Sequence, residues 1–275
     1  MELKIQNFFD PITATHTYLV WDTKTRKAVV IDPVVEFDLE QEKTSTSPLQ
    51  PVIEAVREHG LSLELVLETH AHADHLSGSQ VIKKIGPQAK IAINRNIIEV
   101  QKIFAPKYNL ANQLKYDGSE FDFLLNDGQT LSVGPIEIKV LFTPGHTPAC
   151  TTFIIEKNLF VGDTIFLPDV GTGRCDFPGG SASTLYHSIH EKLYKLSPDH
   201  TVFVGHDYPP AHRKVEFSCS LKDQMEKNVH LKLSTTKEEF VQFREGRDKT
   251  LKAPRLIEPS LRVNIQAGRL PTEWS

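Results

Sequence analysis

The amino-acid sequence predicts a mixed α+β fold, and three observations carry that prediction. Apolar and polar residues alternate with the two-residue period of strands in two separate blocks, residues 1–35 and 121–142. Helical patterns with their own start and stop signals lie between and after these blocks. Residue types that bind metals follow directly after several apolar runs, where strand ends would place them at a sheet edge.

The opening block reads as a β-meander, with Thr17-Tyr18-Leu19-Val20-Trp21 and Ala28-Val29-Val30-Ile31 joined by the turn-like Asp22-Thr23-Lys24-Thr25. Asp32-Pro33 ends it, and the acidic stretch Glu36 to Ser47 lacks periodicity and reads as an exposed loop. A helix is predicted from Ser47 to Gly60, with Pro48 at its first position, a Ser-x-x-Gln capping box to Gln50 and an apolar stripe of Val52, Ile53 and Val56. The strand Leu63 to Leu67 follows. Helices are then expected over Leu76 to Ile85 and Asn94 to Phe104, around a strand Lys90 to Ile93, and residues 105–120 read as irregular. The second meander comprises Phe121 to Leu125, the turn Asn126-Asp127-Gly128, Thr130 to Val133 and Ile136 to Phe142. Beyond it, Leu185, Ile189, Leu193 and Leu196 predict one helix over Ser183 to Leu196, with Tyr186, His187 and His190 on its polar face. Residues 1–275 read as one domain, in which 215–275 form an extension with a short helix at Lys237 to Phe243 and a proline-rich extended tail wrapping the core.

Chemistry concentrates in Thr69-His70-Ala71-His72-Ala73-Asp74-His75, where three imidazoles and a carboxylate lie within six residues. On an extended backbone His70 and His72 share a face, and a turn brings Asp74 and His75 back toward them. A lone His-x-His is more often a polar junction between strand and loop. The full motif behind a buried strand favours metal binding, because so many polar groups beside a core are costly without a partner. His146, Asp163 and His206 each follow an apolar run and a glycine; one such turn is ordinary, whereas three point to convergence on one edge. The loop Gly171 to Gly180 matches no phosphate-binding fingerprint.

Composition narrows the function. A net charge of −4 in 275 residues argues against a broad nucleic-acid surface. No window approaches the roughly 20 apolar residues that span a bilayer, and Met1-Glu2-Leu3-Lys4 lacks a signal pattern, so no membrane association and a cytoplasmic location are expected. The cysteines Cys150, Cys175 and Cys219 are odd in number and scattered, which fits reduced thiols.

Taken in order, His-x-His-x-Asp-His, Gly145-His146-Thr147, Gly162-Asp163 and Gly205-His206 resemble the metallo-β-lactamase superfamily. Within it the chain is similar to the persulfide dioxygenase branch, the sulfur dioxygenases of the ethylmalonic encephalopathy protein type. That likeness rests also on Pro144 to Cys150, Gly173 to Phe177, Thr184 to Lys192 and His206-Asp207-Tyr208. It covers most of residues 10–210 and thins toward the C-terminus. The resemblance implies a four-layer αββα sandwich with metal at one edge of its two sheets. In the dioxygenases the positions matching His70, His146 and Asp163 hold one Fe(2+) per chain, with His72, Asp74, His75 and His206 around it and Asp74, His75 and His206 as candidate catalytic groups. In the related glyoxalase II enzymes His70, His72, His146 and Asp163 would hold one metal and Asp74, His75, Asp163 and His206 a second, giving two Zn(2+) per chain.

Two His and one carboxylate on one face of Fe(2+) leave three adjacent positions open, which suits oxidation of glutathione persulfide by O2 to sulfite and glutathione. Bridged zinc ions would present hydroxide to a thioester and suit hydrolysis of an acylglutathione. All seven donors are present, so residue identity alone leaves both open. Arg174 and Tyr208 are candidates for orienting substrate, their structural alternatives being a loop-locking ion pair and a core-edge tyrosine. A non-catalytic protein with a structural metal, or with Cys150 as a redox sensor, is the remaining class. The sequence is compatible with a homo-oligomer.

Overall fold

The computed structural model describes residues 2–211, 213–271 and 274; Met1 and positions 272, 273 and 275 of the expected tail lie outside the described residues. The chain opens with strands β1 (Leu3–Asp10), β2 (Thr15–Asp22), β3 (Lys27–Ile31), β4 (Val34–Asp38) and β5 (Lys43–Ser45), followed by helix α1 (Gln50–Glu58) and strand β6 (Ser62–Leu67). After the histidine motif come β7 (Leu76–Ser77), α2 (Ser79–Ile85), β8 (Lys90–Asn94), α3 (Ile97–Phe104) and β9 (Phe123–Leu125). A second run, β10 (Thr130–Val133), β11 (Ile136–Phe142), β12 (Thr151–Ile155) and β13 (Asn158–Phe160), leads to α4 (Ala182–Tyr186), β14 (Thr201–Phe203) and β15 (Ser218–Ser220). Helices α5 (Leu221–Lys227), α6 (Lys237–Asp248) and α7 (Ile257–Asn264) complete it.

Hydrogen bonding sorts the strands into a six-stranded sheet β1-β2-β3-β6-β8-β9, a second β10-β11-β12-β13-β14-β15 and a small sheet β5-β4-β7. Strand alternation then builds the layers. Tyr18, Val20, Val29, Ile31 and Leu65 on the first sheet meet Ile136, Ile138, Phe153, Phe160 and Phe203 on the second. The outward side chains of the first sheet, including Leu19, Val30, Val66 and Ile91, pack with Val52 and Ile53 of α1, Ile82 of α2 and Leu261 of α7. Leu159 and Val202 of the second, with Val161 just after β13, pack with Leu185, Leu221, Met225 and Phe240 from α4, α5 and α6. This is the αββα sandwich expected from the resemblance. Because both faces of β2 are covered, all eight of its residues are buried.

Several local expectations are corrected. Glu36 to Ser47 is not a free loop: β4 and β5 pair as a hairpin, with Phe37 buried against Trp274 at 4.5 Å between ring centroids. Ser47 does not cap a helix. A 3₁₀ turn occupies Ser47–Leu49, the α-helix begins at Gln50, Pro51 sits in its first turn, and Ser47 Oγ bonds Ser45 Oγ at 2.7 Å. Leu76 and Ser77 pair with β4 instead of starting a helix, and Asn94 ends β8. The helix predicted over 183–196 is three pieces, with α4 passing into a π turn at His187–Lys192 and a 3₁₀ turn at Leu193–Lys195. Leu185, Ile189 and Leu193 are spaced by four, a stripe that drifts around a 3.6-residue helix; the wider π turn keeps all three buried. Tyr186 is buried, not on a polar face, and stacks on His190 at 4.8 Å. The tail is largely helical: Lys237 to Phe243 extends to Asp248 behind a capping box at Thr236, and Pro259 is accommodated because it lies in the first turn of α7. None of the helices among the described residues is long and apolar enough to cross a membrane.

Candidate metal centre

Strand ends deliver the donors. The motif His70 to His75 follows β6, His146 follows β11, Asp163 follows β13 and His206 follows β14, so chain positions far apart meet at one edge. Two glycines make this possible. Gly145 has φ +143° and lies against the Leu185 backbone, and Gly162 has φ +50° against the Thr69 side chain, so a Cβ would collide at either position.

One set of donor atoms from His70, His146 and Asp163 lies within 4.8 Å of one another, and a second set comes from His72, Asp74, His75 and His206. His70 Nε2 and His146 Nε2 stand 3.8 and 3.6 Å from Asp163 Oδ2. Two ligands about 2.1 Å from a shared ion lie roughly 3–3.5 Å apart, so a small contraction closes this set. Asp163 Oδ1 faces the other way, 3.4 Å from His206 Nε2, which is also 3.2 Å from Asp74 Oδ2. His75 Nδ1 lies 3.5 Å from Asp74 Oδ1. His72 stands outside the first set, its Nε2 being 3.1 Å from Asp32 Oδ1 and 3.7 Å from Glu68 Oε2.

Hydrogen bonds orient the imidazoles through their other nitrogens. His146 Nδ1 donates to the Arg174 carbonyl at 2.7 Å, and His206 Nδ1 is 3.2 Å from the Ala14 carbonyl, which can only accept. Thr69 Oγ1 donates to Asp32 Oδ2 at 2.8 Å and so takes the His70 Nδ1 proton at 3.1 Å. Nε2 of His70, His146 and His206 therefore carries the free lone pair. His70 Nε2, His75 Nε2, His206 Nε2 and Asp163 Oδ1 are buried without a hydrogen-bond partner, the state of donors that fit a metal ion.

Electrostatics agree. Burial, reinforced by neighbouring imidazoles, holds His70 and His72 well below the usual histidine range. Burial also raises Asp163 against the pull of His206 and His146, whereas at Asp74 the histidines His206 and His75 overcome burial and lower the carboxyl. Beneath the motif, Asp32 binds Thr69 N at 2.7 Å and burial lifts it to about 6; Glu68 accepts the Ser77 and Ser79 hydroxyls, and burial with the Asp32 charge lifts it to about 8.

The C-terminal helices lock the same loops. Asn264 of α7 donates Nδ2 to the His72 and His75 carbonyls, both at 2.8 Å, and accepts Ser77 N at 2.7 Å. Buried Arg244 of α6 pairs with Asp248 and donates to the Thr172 carbonyl at 3.2 Å, and Asp248 Oδ2 accepts Cys175 N at 2.8 Å. Sequence reasoning missed these residues and Glu68. Asp32, which it used only to end a strand, carried a signal in its position before Pro33 at a strand end.

A cavity of about 430 Å³ opens over the donors, and its lining includes Asp74, His146 and Asp163 together with Arg247, Lys252 and Arg255. Arg174 and Tyr208 both line it. The Arg174 guanidinium forms a two-pronged pair with Asp176 at 2.6 Å, donates to the Lys252 carbonyl at 2.7 Å and lies over Phe177. It locks its loop. Tyr208 is half-exposed and stacks on His206 at 5.7 Å.

A model of the metallo-beta-lactamase superfamily matches residues 11–206. The chain belongs to that superfamily. It is 45% identical over 269 residues to Glyoxylase B2 of Dictyostelium discoideum, covering 98% of this chain and 92% of that one. It is 30% identical over 266 residues to the mitochondrial persulfide dioxygenase ETHE1 of Homo sapiens, covering 96% and 88%. The crystal structure of ETHE1 from Myxococcus xanthus superposes with a TM-score of 0.76 at 29% identity, covering 97% of this chain and all of that one. The superfamily assignment and the buried donor sets together give this chain a metal site built from histidine and aspartate.

Proposed function

We propose that the chain is an iron-dependent dioxygenase that oxidises glutathione persulfide with O2, in the balanced sense that persulfide, O2 and water give glutathione and sulfurous acid. The observation that carries this reading is the sorting of the donors: His70, His146 and Asp163 form a set of two imidazoles and one carboxylate, and His72 lies outside it. Bound there, Fe(2+) supplies the electron transfer that joins a sulfur anion to O2. The protein residues do the rest. Arg247, Lys252 and Arg255 in the cavity lining match the carboxylates of glutathione, and His146 and Asp163 in the same lining would meet its sulfur. Asp74 lines the cavity, and its carboxylate lies 3.2 Å from His206 Nε2, where it orients that imidazole. The relative named as a persulfide dioxygenase supports the same reading.

The test is O2 uptake with glutathione persulfide, alongside hydrolysis of lactoylglutathione, on protein of measured metal content. Iron-dependent O2 uptake supports the proposal. O2 uptake that is unchanged after the iron is lost sinks it. A glyoxalase II-like thioesterase with two Zn(2+) is the second reading, favoured by Asp163 Oδ1 facing His206, which also meets Asp74, and by the relative named Glyoxylase B2. Its signature is two metals per chain with thioester hydrolysis, and about one iron without zinc excludes it.

A further inference from the structure

A second, much narrower opening lies beside the donors. It is a crevice of about 10 Å³ lined by Ala71, Val100, Phe104, Thr147, Pro178 and Leu261, among others. That volume is about the size of a single water molecule. Its lining is almost wholly apolar, so a water there would lack the two or more polar partners that hold one in place, and an anion would be stripped of solvent without compensation. A small apolar molecule meets neither penalty. Its lining includes exposed Pro178 and buried Ala71, which lies between His70 and His72 in the chain. Ala73 and Phe177 belong both to this crevice and to the large cavity, and the Phe177 ring stands 5.4 Å from the ring of His146. The two openings therefore adjoin at Ala73 and Phe177, and the crevice is lined by the chain neighbours of His70, His72, Asp74 and His146.

Their chemistries are opposite. The large cavity carries arginine and lysine in its lining and suits an anionic thiol. We propose that the crevice between α3, α7 and the loop at Phe177-Pro178 is a separate entry path for O2, with Phe177 as the side chain dividing it from the thiol side. This inference rests on the dioxygenase reading. The small side chains of Ala71 and Ala73 keep the inner end open, and Val100, Phe104 and Leu261 set its width.

Two variants narrow the path at different depths: Leu261→Phe within it, and Pro178→Trp at its exposed mouth, where a larger ring places no strain on the core. The expected result is a fall of roughly 5–10-fold in kcat/KM for O2 with kcat/KM for glutathione persulfide unchanged. Crystals of metal-free parent protein pressurised with krypton are expected to show gas in the crevice, and those of the Leu261→Phe variant none. An unchanged kcat/KM for O2 in both variants overturns the proposal, as does a crevice without krypton in the parent. The gas measurement needs no turnover, so a parent enzyme that consumes no O2 counts against the dioxygenase reading while the crevice is still judged by its own result.

Discussion

Replacing Asn264 by alanine removes three buried hydrogen bonds at once, those to the His72 and His75 carbonyls and that from Ser77 N. Asn264 is only 4% exposed, so water does not take over these groups without rearrangement. Each buried group left unpaired costs about 1–3 kcal/mol, and allowing for partial relaxation the total is about 4 kcal/mol. At about 2–4 °C per kcal/mol for a chain approaching this size, the thermal midpoint of metal-free protein should fall by roughly 8–16 °C. Metal-free protein is the right sample, because bound metal would add its own stabilisation. Asn264→Asp is the sharper comparison. It keeps the acceptor for Ser77 N but sets a carboxylate against two carbonyls, so it should be no more stable than the alanine variant. Differential scanning calorimetry reads both. A midpoint shift under about 2 °C for alanine, or an aspartate variant as stable as the parent, refutes the idea that this side chain clamps the histidine loop.

Three further outcomes are expected. His146→Ala should lower metal affinity by more than about 100-fold, since even groups around a metal site cost 10–100-fold, while far-UV circular dichroism stays native; metal retention would contradict its place in the donor set. Arg244→Met strands Asp248 in the core and should cost about 3–5 kcal/mol in urea unfolding, so a loss below about 1 kcal/mol would show that the pair does not hold the loop. Burial, with help from His206, lowers His16 to about 4. Its unfolded form takes a proton below about 6.5 while the native form resists until about 4, so stability should fall by up to about 3 kcal/mol as pH drops through that window; His16→Gln should flatten the slope, and an unchanged slope would refute the assignment.

The α+β class was legible because alternation in the two meanders is a property of short segments, and the αββα sandwich followed from the resemblance that the order of the metal-type motifs carries. His70, His146, Asp163 and His206 could be found for the same reason, each standing immediately after an apolar run. What escaped the sequence depends on long-range packing. Nothing near Asn264 announces that it meets residues 187–192 positions earlier. Phe37 reads as part of an acidic loop until Trp274 covers it. The π turn after Tyr186 follows from where Leu185, Ile189 and Leu193 must point, which is fixed by the sheet beneath them. Arg174 shows the limit in the other direction, since its residue type suggests substrate binding and its neighbours Asp176 and Lys252 hold the guanidinium in place.

The clamp on the histidine loop also has a timetable. Residues 72 to 77 leave the ribosome long before residue 264 is made, and at about 5–20 residues per second the gap is roughly 10–40 s. Throughout that interval the loop has Asp32 behind it but no Asn264 in front of it, and His146, Asp163 and His206 arrive one by one. A nascent chain that captured metal early would do so with an unclamped, incomplete set of donors. Loading after synthesis, on a chain whose last helix has docked, is the order of events this topology favours.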